Sequence, residues 1–104
     1  MIRGTTPDYV VDVKGHDLTD KTVYVTLSQD RKKVTLTGDR LAIAYSDRVS
    51  SIVFRLTQSE TLGFKVGNID VQVRFINSAG TAFATNIAAL RADRVLLEEV
   101  IEYV

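Results

Sequence analysis

Apolar and polar residues alternate with period two along most of this chain, a pattern that commits it to half-buried β-strands. Tyr9, Val11 and Val13 mark a first strand, closed by a polar break at Gly15, His16 and Asp17. Val23, Val25 and Leu27 alternate with Thr22, Tyr24, Thr26 and Ser28, and Gln29, Asp30 and Arg31 turn the chain into Val34 and Leu36. Leu41, Ile43 and Tyr45 form a fourth set after Gly38 and Asp39, and Ile52, Phe54 and Leu56 a fifth after Ser46, Asp47 and Arg48. Residues 57–64 break the period and predict a short helical crossover. Ile69, Val71, Val73 and Phe75 resume it, and a turn over Asn77, Ser78, Ala79 and Gly80 leads to Phe83, Thr85, Ile87 and Ala89. About seven strands at a spacing near ten residues predict an all-β, antiparallel, immunoglobulin-like β-sandwich.

Composition agrees with that pattern. Val, Ile and Thr together make 32 of the 104 residues, against one proline and no cysteine. A chain of this length is expected to form one domain, residues 1–104, burying about 65% of its surface on folding. Thirteen basic residues balance thirteen acidic ones, so net charge points to neither nucleic acid nor a membrane surface. Without cysteine there is no disulfide framework or thiolate metal site. No apolar run approaches the roughly 20 residues of a membrane span, and the first residues lack the apolar core of a signal peptide. The expectation is synthesis and folding inside a cell without Sec export.

The end of the chain has another character. All nine Asp precede Arg94, whereas Glu98, Glu99 and Glu102 are three of the four Glu. Asp favours turns and Glu favours helices. Leu96, Leu97, Val100, Ile101 and Val104 recur with helical spacing behind Asp93, a candidate N-cap. The pattern predicts a C-terminal helical segment over 93–104, although glutamates at its C-terminal end oppose the helix dipole. An extended eighth strand is the rival reading. A helix so short needs its apolar stripe covered by the sandwich or by another subunit.

Catalytic signatures are sparse. The six glycines make neither a dinucleotide fingerprint nor a P-loop, and no serine stands in a nucleophile elbow. His16 is the one histidine, so a hydrolytic triad would depend on it. Asp12, His16, Asp17 and Asp20 form the densest ligand-like cluster, which reads better as a polar turn than as a calcium loop. Glu98 and Glu102 would share a helix face, better read as solvated than as an acid/base pair. Arg31, Lys32 and Lys33 make the one basic run, without the interleaved aromatics of a nucleic-acid surface. No catalytic residue, cofactor, metal or small-molecule substrate is therefore expected.

Strand parity assigns Tyr9, Tyr45, Phe54, Phe75 and Phe83 to the core. Tyr24, Val53 and Ile76 fall on the polar parity and would mark an outward apolar patch. With Ile2 in an extended arm over residues 1–7, and with Leu96, Leu97, Val100 and Ile101, they are the candidate interface residues. A sugar-binding sandwich would instead need an exposed aromatic platform, for which parity offers Tyr24.

Three segments carry a resemblance: MIRGTTP at the start, LTQSETLGF from Leu56 to Phe64, and VQVRFINSAGTAFATNI from Val71 to Ile87. They resemble a family of small prophage-encoded proteins of Gram-positive bacteria, in which a Thr-Thr-Pro start precedes a β-sandwich. The family hairpin usually turns on Asp-Gly where this chain has Ala79 and Gly80, and the apolar C-terminal stripe is more pronounced here. The resemblance implies a non-enzymatic structural or accessory protein of the virion tail or baseplate. Its partners would be other phage structural proteins or further copies of itself, and its place the host cytoplasm and then the virion. A carbohydrate- or cell-surface-binding module is the alternative.

Overall fold

The computed structural model of the chain describes residues 1–103. Eight strands, β1 (Asp8–Lys14), β2 (Thr22–Gln29), β3 (Lys32–Thr37), β4 (Leu41–Ser46), β5 (Val49–Arg55), β6 (Gly67–Ile76), β7 (Ala82–Ala84) and β8 (Ala88–Ala92), surround one short helix, α1 (Gln58–Leu62). One sheet has the order β1-β5-β4; the other has β3-β2-β6-β7, with β8 also pairing with β6. All of these strand pairs are antiparallel. The immunoglobulin order puts strands B, E and D in one sheet and C, F and G in the other. Here β1, β5 and β4 follow the first set, β2, β6 and β7 the second, and β3 occupies the place of an added C′ strand.

The core lies between the sheets and comes from the parity the sequence predicts. Val23, Val25, Leu27, Leu36, Val71 and Val73 face Val13, Ile52 and Phe54 across it. Leu18 in the β1–β2 loop and Phe64 after α1 close its ends, both fully buried. Ser50 anchors the Leu18 loop, its hydroxyl accepting from Leu18 N at 2.9 Å and donating to the His16 carbonyl at 2.6 Å. The helical crossover forms because Thr57 and Glu60 make a capping box that satisfies the first backbone N–H groups.

Three expectations are corrected. The strand expected over Phe83–Ala89 breaks at Thr85, whose hydroxyl takes the place of a backbone partner by accepting from Val73 N at 3.1 Å. Residues 94–103 form neither a helix nor an eighth strand of the expected kind; they run without regular structure. An isolated ten-residue helix is marginal in water, and no sheet face covers its stripe: Leu96 is 87% exposed, and Leu97, Val100 and Ile101 are each more than half exposed. Val104 lies outside the described residues. Of the five aromatics assigned to the core, Phe54 and Phe75 are buried, and Tyr9 is partly buried against Phe54. Tyr45 and Phe83 are 42% and 37% exposed, because each stands on an edge strand with no further strand beside it.

The arm over residues 1–7 is bound to the sandwich. Ile2 makes a parallel bridge to Asp93, with Arg3 N donating to the Asp93 carbonyl and Asp93 N to that of Met1. Gly4, at φ +78°, comes within 3.3 Å of Leu62 where a Cβ would stand, and its N–H donates to the buried Thr61 hydroxyl at 2.9 Å.

Candidate functional site

Residues 94–103 begin where β8 leaves the sheet at Ala92, and they cross the end of the sandwich that α1 closes. Two side chains hold them. Arg3, whose guanidinium donates to the Phe64 and Leu62 carbonyls, also bonds the Glu98 carboxylate. Gln58, at the start of α1, takes the Ile101 backbone through both its amide oxygen and its amide nitrogen. The segment is thus placed by polar contacts on one side while its apolar side chains face solvent. Glu98 and Glu102 do not share a helix face, since no helix forms, and Glu98 is committed to Arg3.

The remaining interface candidates are not brought together. Tyr24 and Ile76 line a shallow groove of about 200 Å³ with Arg74 and Ala82 on the outside of the five-stranded sheet. Val53 lies on the outside of the other sheet, in a row with Val10 and Ala42. The single outward patch expected from parity is therefore two patches on opposite faces, because parity assigns a side to each strand without saying which sheet the strand joins. Ile2 is exposed beside Asp93, at the root of the 94–103 segment.

The polar loop candidates serve the fold. Asp17 accepts from the Thr19 N–H and hydroxyl, and these bonds hold its carboxyl below the usual range. Asp12 accepts from Ser51 at 2.7 Å, and Asp20 pairs with Lys21. Among the described residues no three metal-ligating side chains converge. His16 instead packs against two rings, with centroids 5.0 Å from Phe75 and 5.1 Å from Phe83. This stack lines an open groove of about 350 Å³ with Asp12, Lys14, Thr85 and Asn86. The Phe75–Phe83 pairing was readable from the hairpin; the third ring was not, because His16 arrives from a loop distant in sequence.

A second cleft, of about 410 Å³, was also missed. Gln29, Asp30, Arg31 and Lys32 of the β2–β3 turn line it together with Gly63 and Lys65. Gln29 fixes the two walls, its side-chain amide accepting from Lys65 N at 2.7 Å and donating to the Lys65 carbonyl at 2.7 Å. Among the described residues, Arg31, Lys32, Lys33 and Lys65 have no carboxylate within ion-pairing distance. Lys65 lies outside the basic run, and no local spacing signals that it joins it.

These surfaces belong to an antiparallel β-sandwich whose unspent groups, among the described residues, are exposed apolar side chains and unpaired charges of opposite sign. Comparison with protein-family models, with curated proteins and with solved structures gives no match. The phage resemblance therefore rests on the residues quoted for it.

Proposed function

We propose that this chain is a non-enzymatic docking module, a structural or accessory protein of a phage tail or baseplate. The docking part is supported by surface. The chain exposes 6996 Å², about 1,200 Å² above the roughly 5,800 Å² expected of a monomer of this mass. Its radius of gyration is 14.8 Å, against about 13 Å for a compact domain of this length. The 94–103 segment adds to that surface, since its exposed Leu96, Leu97, Val100 and Ile101 are held in place without being covered. The virion setting is supported by the sequence resemblance alone.

Co-expression with the products of the adjacent reading frames tests the reading. A stable complex that is lost in Leu96→Ser/Val100→Ser is the expected result, and absence of a complex with any of these products counts against it.

One observation favours the carbohydrate alternative. Phe83 is partly exposed beside His16, with Asp12, Lys14 and Asn86 along the same groove, which combines a ring face with hydrogen-bonding groups. Glycan-array binding that disappears in Phe83→Ala but survives in Tyr24→Ala would support this groove, and a blank array removes it.

A further inference from the structure

We infer that the partner of the 94–103 segment is a second copy of this chain, and that the segment docks in the Arg31/Lys32/Lys65 cleft of that copy, reciprocally about a two-fold axis. This deepens the docking reading above and rests on it. Charge complementarity selects the occupant. Glu99 and Glu102 have no cationic partner among the described residues, and the cations of the cleft have no carboxylate partner. The chain is neutral as a whole, yet among the described residues it leaves Glu99 and Glu102 of the segment and the cations of the cleft unpaired, with Glu98 alone of the segment's glutamates bound internally, to Arg3. Two copies exchanging segments would pair both.

The apolar side of the segment fits the same place. Lys32 lays its side chain over Gly63, where an added Cβ would meet Lys32 Cε at 2.9 Å, so aliphatic stem as well as charge forms the cleft wall. Both halves of the contact lie beside α1, the segment at Gln58 and the cleft at Gly63, which is the arrangement an isologous dimer requires of one self-complementary surface.

Light scattering coupled to size exclusion, with sedimentation velocity, tests this on the full chain. The wild type is expected to be a dimer at about 100 μM, weakening as salt rises from about 0.1 M to about 1 M and the screening length falls from about 10 Å to about 3 Å. Glu99→Lys/Glu102→Lys and Lys32→Glu/Lys65→Glu should each raise Kd by about a hundredfold or more, by placing like charges together. Mixed in equal amounts, the two variants should recover a heterodimer, since each then offers what the other lacks. Arg31→Glu/Lys65→Glu leaves the Lys32 contact intact and serves as a second cleft variant, with thermal melts showing that each protein is folded. A wild-type monomer, a dimer indifferent to both charge reversals, or a mixture that stays monomeric would each overturn the inference. A monomer that still binds a neighbouring gene product would overturn it while leaving the docking reading standing; a monomer that binds none would end both.

Discussion

The Gln58 side chain and the Ile101 backbone exchange two hydrogen bonds, Gln58 Nε2 donating to the Ile101 carbonyl at 2.9 Å and Ile101 N donating to Gln58 Oε1 at 2.7 Å. One side-chain amide thus reproduces the pairing a neighbouring strand would supply, and it fixes a segment that has no ladder of its own.

Gln58→Ala should release that segment without unfolding the sandwich, because exposed hydrogen bonds contribute about 1 kcal/mol or less net. Hydrogen exchange at the Ile101 amide is expected to accelerate while β2 and β6 keep their protection. Equal loss of protection in the sheets would show that the segment stabilises the whole domain.

Thr61 links the N-terminal arm to α1 from a fully buried position. Its hydroxyl accepts from Gly4 N and donates to the Thr5 carbonyl, both at 2.9 Å. Thr61→Val keeps the shape and strands both backbone groups, so a loss of about 1–3 kcal/mol is expected in urea denaturation. A change within error of zero would mean that water replaces the hydroxyl.

Glu60 gives the acid side of the stability curve a specific contributor. Burial works to raise its carboxyl, but hydrogen bonds from Arg40 and Thr57 outweigh it and leave the group below its ordinary value of 4.5. A group whose folded value is depressed stabilises above its unfolded value and loses that contribution as pH falls through the folded one. Glu60→Gln keeps a side chain able to complete the capping box and removes the ion pair with Arg40. The wild type should therefore exceed Glu60→Gln in urea midpoint near neutrality, and the gap should close as pH falls below about 4.5. A gap that is constant with pH would assign the effect to the cap instead.

The β4–β5 hairpin turns on Asp47 and Arg48, at φ +52° and +64°. Positive φ at both central residues is the type I′ pattern, which Asn-Gly satisfies without strain. Asp47→Asn/Arg48→Gly is expected to raise stability by about 0.5–1 kcal/mol, read as a higher melting temperature. A lower melting temperature would show that the Arg48 side chain contributes more than its backbone conformation costs.

Much of the sandwich was legible because its signals are local. Alternation over Val23, Val25 and Leu27 states which side of a strand is buried whatever the strand pairs with, and Gly80, at φ +84°, marks its turn by its own conformational freedom. The apolar spacing of Leu96, Leu97, Val100 and Ile101 misled for the opposite reason. Helical period describes a face, and a face becomes a helix only when something covers it.

The sequence by itself determined the strands up to Ile76 and their inward parity, the crossover at residues 57–64 and the hairpin turns, since each depends on neighbours a few residues apart. Only the tertiary structure decided that Val53 and Tyr24 lie on opposite faces, that His16 joins Phe75 and Phe83, that Lys65 completes the cleft of Arg31 and Lys32, and that Gln58 and Arg3 hold an irregular 94–103 segment. Each of these depends on groups far apart in the chain, whose meeting is set by how the two sheets stack and is not encoded by any local period.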